Sequence, residues 1–306
     1  MKKILHIGCN VGSESMPKYF REQCDYQEIK LDGNLKANLQ AINYVPDIVF
    51  LQIQSDTIDN KNTCEFIGQE IRALKDKGSF VINWTGDKRN GVPRWMIDFH
   101  NYVNVTGFSN EEDMAEGVRY GMKTIFLQQG IDTNIFTPIG DKIQSPEIVF
   151  LANNYGNQFP LSRFRRDCAN SLKATFGNRF GLYGNGWTHS DGNFNHSQYE
   201  EAKLYRGAKI AISISHYDSD RYFSDRLGRS LACGAFVISH RFKGIDKDFE
   251  VGKHLDAFDT SNELIEKCKN WLMDTSKRQS IAINGKELAH KEFSYQNIVT
   301  QILELC

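Results

Sequence analysis

Apolar runs of strand length alternate with amphipathic stretches along most of the chain. Lys2-Lys-Ile-Leu-His-Ile-Gly8 reads as a strand entering a glycine turn, Asp47–Gln52 as a buried strand, Cys64–Asp76 as an amphipathic helix and Ser79–Asn83 as the next strand. Strand patterns over Tyr102–Thr106 and Lys123–Leu127 flank a helix over Glu111–Arg119. The pattern then restarts. A strand at Glu147-Ile-Val-Phe-Leu-Ala-Asn153 is followed by a helix over Pro160–Phe176, a strand over Arg179–Gly184, a helix over Tyr199–Lys209 and a strand over Ile210–Ser215. Next come a short helix beginning at Ser224 or Asp225 and stopped by Gly234, and an apolar strand over Ala235–Ser239. Helices over Glu263–Met273, Lys277–His290 and from Tyr295 onward close the chain.

Strands alternating with helices predict parallel, doubly wound sheets, and the restart predicts two of them, each Rossmann-like. Turn and polar residues concentrate in Gly140-Asp-Lys-Ile-Gln-Ser-Pro146, so the expected division is 1–140 and 141–306, with the last helix packing back on the first domain. At 306 residues with 40% hydrophobic content, the chain can build two ordinary cores.

Ligands bind such sheets beyond the carboxyl ends of the strands. Trp84-Thr85-Gly86-Asp87 follows a strand, so Asp87 is the carboxylate expected to do chemistry, with capping of the turn into Lys88-Arg89-Asn90-Gly91 as the equal alternative. Trp84 can stack on a ligand ring or pack in the core. Gly8, Asn10 and Gly12 outline a loop that a ligand can approach closely, or a plain tight turn. In the second half, Ser224 or Asp225 caps a helix whose first amides, with Arg226 and Arg229, form a corner suited to phosphate. The same pattern suits a capped helix with solvated arginines.

Charge narrows the partners. Lys plus Arg number 37 against 38 Asp plus Glu, so a net charge of -1 offers no global attraction to nucleic acid or an anionic membrane, and any polyanion site is a local patch. No apolar run approaches the roughly 18 to 20 residues of a membrane span, and Met-Lys-Lys runs straight into a strand pattern, which reads as a cytoplasmic protein. Seven scattered cysteines show neither metal spacing nor a disulfide framework. Asp218-Ser-Asp220 reads as a solvated turn, and no metal is expected.

Three stretches carry a family resemblance. Ser224-Asp225-Arg226 followed by Ala232-Cys-Gly-Ala235, then Gly252-Lys-His-Leu-Asp-Ala-Phe258, and the crossover Gly130-Ile-Asp132-Thr-Asn-Ile-Phe136-Thr-Pro138 together resemble group 1 glycosyltransferases of the GT-B fold, in particular the CgeB-like subgroup. In the crossover, Gly130 is expected to permit a bend, Asp132 to bond nearby amides and Phe136 to anchor the link. The resemblance implies two Rossmann-like domains whose parallel sheets face a central cleft, with a nucleotide-diphosphate sugar, a UDP-sugar, on the second domain and no further cofactor. It also implies donor contacts from Asn153 and Asn154 near the diphosphate, Tyr183 and Gly184 beside the base, and His216, Ser224, Asp225, Arg226 and Arg229 around the donor. Asp87 then serves as catalytic base, with Gly8, Asn10, Gly12 and Trp84 on the acceptor side.

One departure matters: the E-x7-E pair of the broad family falls near Arg221 and Arg229, so its ribose-binding carboxylate is missing, and Asp225 is the substitute to test. The expected activity is transfer of a hexose or pentose to an acceptor hydroxyl on a glycan or a modified nucleic acid base. A degenerate transferase that binds nucleotide or glycan without catalysis is the alternative, and a nucleotide-sugar epimerase a third reading.

Overall fold

The computed structural model describes residues 1–8, 15–30, 34–53, 61–144, 146–193 and 197–306, and the chain divides into two compact units. Unit 1 comprises Met1–Gly130 and Tyr295–Cys306, and unit 2 comprises Ile131–Ser294.

Among the described residues, unit 1 is built on six strands: β1 (Lys3–Gly8), β2 (Asp25–Lys30), β3 (Ile48–Gln52), β4 (Phe80–Thr85), β5 (Val105–Phe108) and β6 (Thr124–Phe126). They pair in parallel in the order β2-β1-β3-β4-β5-β6. Its helices are α1 (Met16–Gln23), α2 (Leu35–Gln40), α3 (Lys61–Asp76), α4 (Arg94–Phe99), α5 (Glu111–Arg119) and α11 (Tyr295–Leu303). Leu5, Val49 and Val81 pack into one apolar cluster with Ile67 and Ile71 of α3, while Ile4, Phe50 and Ile82 pack into another with α1 and α11. Both faces of the sheet are therefore covered, which explains why its central strands are continuous apolar runs. The edge strand β2 is largely exposed and polar, and for that reason carries no apolar signal in the sequence.

Unit 2 holds β7 (Ile148–Leu151), β8 (Phe180–Tyr183), β9 (Ile210–Ser213), β10 (Phe236–His240) and β11 (Asp256–Phe258), ordered β11-β10-β9-β7-β8 and again parallel. Its helices are α6 (Ser162–Phe176), α7 (Gln198–Gly207), α8 (Asp225–Ala232), α9 (Ser261–Met273) and α10 (Thr275–Glu292). Val149, Ala211, Val237 and Ala257 meet α7, α8 and α10 on one face, and Phe150, Ile212, Phe236 and Ile238 meet α6 and α9 on the other. No helix among the described residues is long and apolar enough to cross a membrane.

The division falls at Gly130–Ile131 and not at residue 140. Ile131, Ile135 and Phe136 are buried in the unit 2 core, so the crossover segment belongs there. Arg206 of α7 fixes it further, donating to the main-chain oxygens of Ile135 (2.6 Å), Thr137 (2.7 Å) and Asp141 (3.0 Å). Asp132 accepts from the Asn134 amide at 2.9 Å, as an Asx turn does. Gly130 is required by space and not by a bend: a Cβ there would sit 2.3 Å from the Tyr295 ring.

Helix α8 ends as its glycine implies. Gly234 has φ of 79° and donates to Leu231 O at 2.8 Å, while Ala235 donates to Ser230 O at 3.1 Å, the paired bonds of a Schellman stop. At its start the Ser224 hydroxyl accepts from the Arg226 amide at 3.3 Å.

Candidate functional site

The carboxyl ends of β7 and β8 and the first turns of α7 and α8 enclose a cavity of about 280 Å³ in unit 2. At Gly184 the backbone leaves no room for a side chain. Gly184 has φ of 128°, and a Cβ on it would lie 2.2 Å from Ala152 O, so the loops after β7 and β8 run against each other. Asn153 locks them together, its Oδ1 accepting from the Asn185 amide at 2.9 Å.

Among the described residues, four charged side chains line this cavity: Glu201 from α7, and Asp225, Arg226 and Arg229 from α8. Arg229 binds Glu201 at 2.9 Å and Asp225 at 2.7 Å and lies over the Phe136 ring at 5.1 Å. Burial alone would raise Asp225, but Arg229 and Arg226 outweigh it and hold the carboxyl below its ordinary range. Glu201 goes the other way: burial pushes it up, and the opposing pull of Arg229 does not cancel the shift. Arg226 is held firmly protonated, burial being outweighed by Asp225 and Glu201. Behind this group Arg165 is 4% exposed and donates to Asn153 O at 3.0 Å.

Unit 1 has its own cavity of about 350 Å³ at the ends of β3 and β4, lined by Gln52, Trp84, Asp87, Arg89, Gln129 and Tyr295 among others. Asp87 is exposed at this cavity. The next residue anchors the loop: Lys88 is buried, pairs with Asp113 at 2.6 Å and donates to Arg89 O at 2.9 Å. Gln129 donates to Gly86 O and holds the other side.

Behind Gln52 stands His6, fully buried on β1 and bridging the Tyr26 hydroxyl (2.9 Å) and the Gln52 side chain (3.0 Å). Burial lowers its pKa to about 4, against smaller opposing contributions from Gln52 and Glu28. The folded protein therefore keeps His6 neutral where the unfolded chain takes up a proton, so stability is full above pH 6.5 and falls as the pH drops towards 4. We expect this residue to remove stability at up to about 1.4 kcal/mol per pH unit across that window. Urea unfolding of wild type and His6→Gln at pH 7 and pH 5 checks it, the variant showing the flatter dependence; equal slopes would refute the assignment.

The family model for glycosyl transferase-like proteins matches residues 165–304, a stretch that contains Arg165, Glu201, Asp225, Arg226 and Arg229. No curated protein matches the sequence. Solved structures match over nearly the whole chain. The Anabaena protein HepE, crystallised with UDP and glucose, is 12% identical, with 99% of each chain covered and a TM-score of 0.68. A glycosyltransferase from Rickettsia africae is 12% identical, covering 99% of this chain and 97% of that one at a TM-score of 0.70. Sucrose-phosphate synthase from Thermosynechococcus elongatus is 11% identical, covering 99% and 98% at 0.67. The fold is GT-B.

Within the GT-B framework, the structure gathers Asn153, Gly184, Asp225, Arg226 and Arg229 around one cavity and Trp84 with Asp87 around the other. Ser224 caps α8 at the edge of the first. The other expected site residues make contacts of their own. Arg229, while lining the first cavity, is also engaged by two carboxylates. Tyr183 does not line the cavity; its ring packs beneath Gly181 and Gly192. Asn154 ties loops together, donating to Gly186 O at 2.9 Å and accepting from the Gly156 amide at 3.2 Å. His216 lies outside the cavity lining against Phe159, ring centroids 4.4 Å apart, and burial followed by Arg165 and Arg226 lowers its pKa to about 3.

Gly8 does not line the unit 1 cavity; its missing Cβ makes room for Gln52 of the neighbouring strand, 2.9 Å from where a Cβ would sit. Asn10 and Gly12 lie outside the described residues. Trp84 and Thr85 fall inside β4, and Trp84 donates to Leu127 O at 2.8 Å with its ring stacked near Phe50, so it is a wall of the cavity and part of the core. Arg221 is held bidentate by Asp248 at 2.8 and 2.9 Å. Asp220 pairs with Lys243 at 3.2 Å and Lys247 at 3.6 Å.

Glu201 is the residue that the sequence did not suggest. Its signal was the capping pattern Ser197-Gln-Tyr-Glu200, where Ser197 accepts from the Glu200 amide at 3.4 Å and so fixes the start of α7.

Proposed function

We propose that this protein is a nucleotide-sugar-dependent glycosyltransferase. Its donor, a UDP-sugar, binds the unit 2 cavity, and a hydroxyl-bearing acceptor binds the unit 1 cavity. The observation that carries the reading is Arg226, lining a cavity at the start of α8 where Asp225 and Glu201 keep it charged. Support comes from the family match over this part of the chain and from the fold shared with HepE, whose crystal structures hold UDP and UDP-glucose.

The reaction forms a bond between the acceptor oxygen and the anomeric carbon and breaks the bond from that carbon to the diphosphate oxygen. Negative charge grows on the departing diphosphate. Arg226 and the amides of the first turn of α8 stabilise that charge as it develops. The acceptor proton goes to the Asp87 carboxylate or to a phosphate oxygen of the donor. Asp87 suits the first role by its exposure at the unit 1 cavity. Among the described residues, that cavity combines the Trp84 and Tyr295 rings with amide side chains and one arginine, which favours a glycan hydroxyl over a polyanionic nucleic acid.

Thermal shift and donor hydrolysis with a panel of UDP-, GDP-, CMP- and TDP-sugars tests the reading. A UDP-sugar at one hundred times its Kd is expected to stabilise the protein by about 2.7 kcal/mol. Asp87→Ala should leave that shift intact and reduce sugar transfer. Absence of a response to every donor would refute the proposal.

A further inference from the structure

In the unit 2 cavity, Glu201 is the group whose surroundings leave it half satisfied. It is 7% exposed, and its two carboxylate oxygens have different fates. Oε2 accepts from the Arg229 guanidinium at 2.9 Å. Oε1 is buried and has no hydrogen-bond partner among the described residues. A buried carboxylate oxygen left in that state is costly, and folded proteins rarely leave one without a use.

The chemistry of the missing partner can be read from the neighbours. Oε1 of an ionised carboxylate is an acceptor only, so the partner must donate. Among the described lining residues two guanidinium groups already face two carboxylates, with Arg165 behind them, so a further cation is not called for. The other nearby side chains, Asn153, Asn185 and Asn193, are uncharged. A neutral donor fits, and on a nucleotide sugar the neutral donors in greatest supply are hydroxyls.

We infer that Glu201 is a specificity residue: its Oε1 accepts a hydrogen bond from a hydroxyl of the bound donor molecule, while Arg229, itself clamped by Asp225, holds the carboxylate in position. This rests on the reading of the unit 2 cavity as a nucleotide-sugar site. The burial that pushes the Glu201 carboxyl up makes the contact worth more, because a ligand hydroxyl favours the ionised form that the empty cavity supports poorly. The carboxylate thus comes from α7, although α8 has an arginine at the position where the resembled family carries its second glutamate.

Such a ligand brings hydroxyls from two sources, the pentose of the nucleoside and the transferred sugar, and calorimetric titration separates them. The first arm compares UDP with 2′-deoxy-UDP and 3′-deoxy-UDP; the second compares UDP-glucose with its singly deoxygenated glucose derivatives. The wild-type protein is expected to bind one deoxy ligand about 10 to 100 times more weakly than its parent. That penalty should fall below about threefold in Glu201→Ala and take an intermediate value in Glu201→Gln, which keeps the volume and loses the charge. A ratio of affinities within one protein is insensitive to a general loss of stability, and the glutamine variant decides the matter if the alanine variant folds poorly. A penalty in the first arm assigns the pentose, and one in the second assigns the sugar. Tight UDP binding with no penalty in either arm overturns the inference and leaves the donor reading standing, as does a penalty unchanged by both substitutions. Failure to bind any of these nucleotides overturns both.

Discussion

Arg229→Ala should lower the stability of unit 2 by about 3 kcal/mol, which for a unit of this size is a fall of about 6 to 12 °C in Tm. The reason is the bill it leaves behind. Glu201 and Asp225 share this guanidinium at 2.9 and 2.7 Å, and their side chains are only 9% and 24% exposed. Removing the cation strands two carboxylates in a poorly solvated cavity and also takes the flat face of the guanidinium off Phe136. Arg229→Lys should recover part of the loss, since it keeps the charge but cannot present a planar fork to two carboxylates at once. Differential scanning calorimetry without ligand decides this, and a shift under about 1 °C for the alanine variant would mean that the carboxylates do not depend on Arg229.

Arg226→Ala should show the opposite profile. Its fold and Tm should stay close to wild type, because Arg229 still pairs with Asp225 and the Ser224 cap is untouched. Its kcat/KM with a UDP-sugar should fall by about 100 to 1000-fold, the usual cost of removing one preorganised group that faces charge developing in the transition state. Steady-state kinetics with UDP-glucose as trial donor measures it. A loss smaller than threefold would show that the departing diphosphate is not stabilised by this residue. The pair of variants separates two arginines that look equivalent on α8: one expected to maintain the site and the other expected to act in it.

Much of this architecture was legible because burial writes itself into the strands. β3, β4, β7, β9 and β10 are covered on both faces and so are built on apolar runs. Polar β2 and the short helices α1, α2 and α4 gave no such run, and the sequence reading passed over them. Local chemistry was equally readable at α8, whose serine cap and glycine stop stand where the pattern put them.

What could not be read was which side chains meet. The pairing of Arg229 with Glu201 could not be read because Glu201 lies 28 residues earlier, on another helix. Gly8 and Gly130 looked like conformational devices, but each is small because a neighbouring side chain, Gln52 or Tyr295, occupies the space. Tyr183 and His216 sit at strand ends, yet their rings pack against Gly192 and Phe159 instead of entering the cavity. Periodicity reports the face that a residue occupies, and says nothing about the partner waiting there.

Unit 1 is assembled from two segments, with the whole of 131–294 lying between them in the sequence. Helix α11 fills one face of its sheet, with Ile298, Val299 and Ile302 packed among Ile4, Phe50 and Ile82. During synthesis, the part of that face which α11 covers beside α1 therefore stays open until all of unit 2 has been made, whereas unit 2 is continuous and can complete its core first. Of the two units, the one whose first segment is made earlier is thus the one that completes its core later.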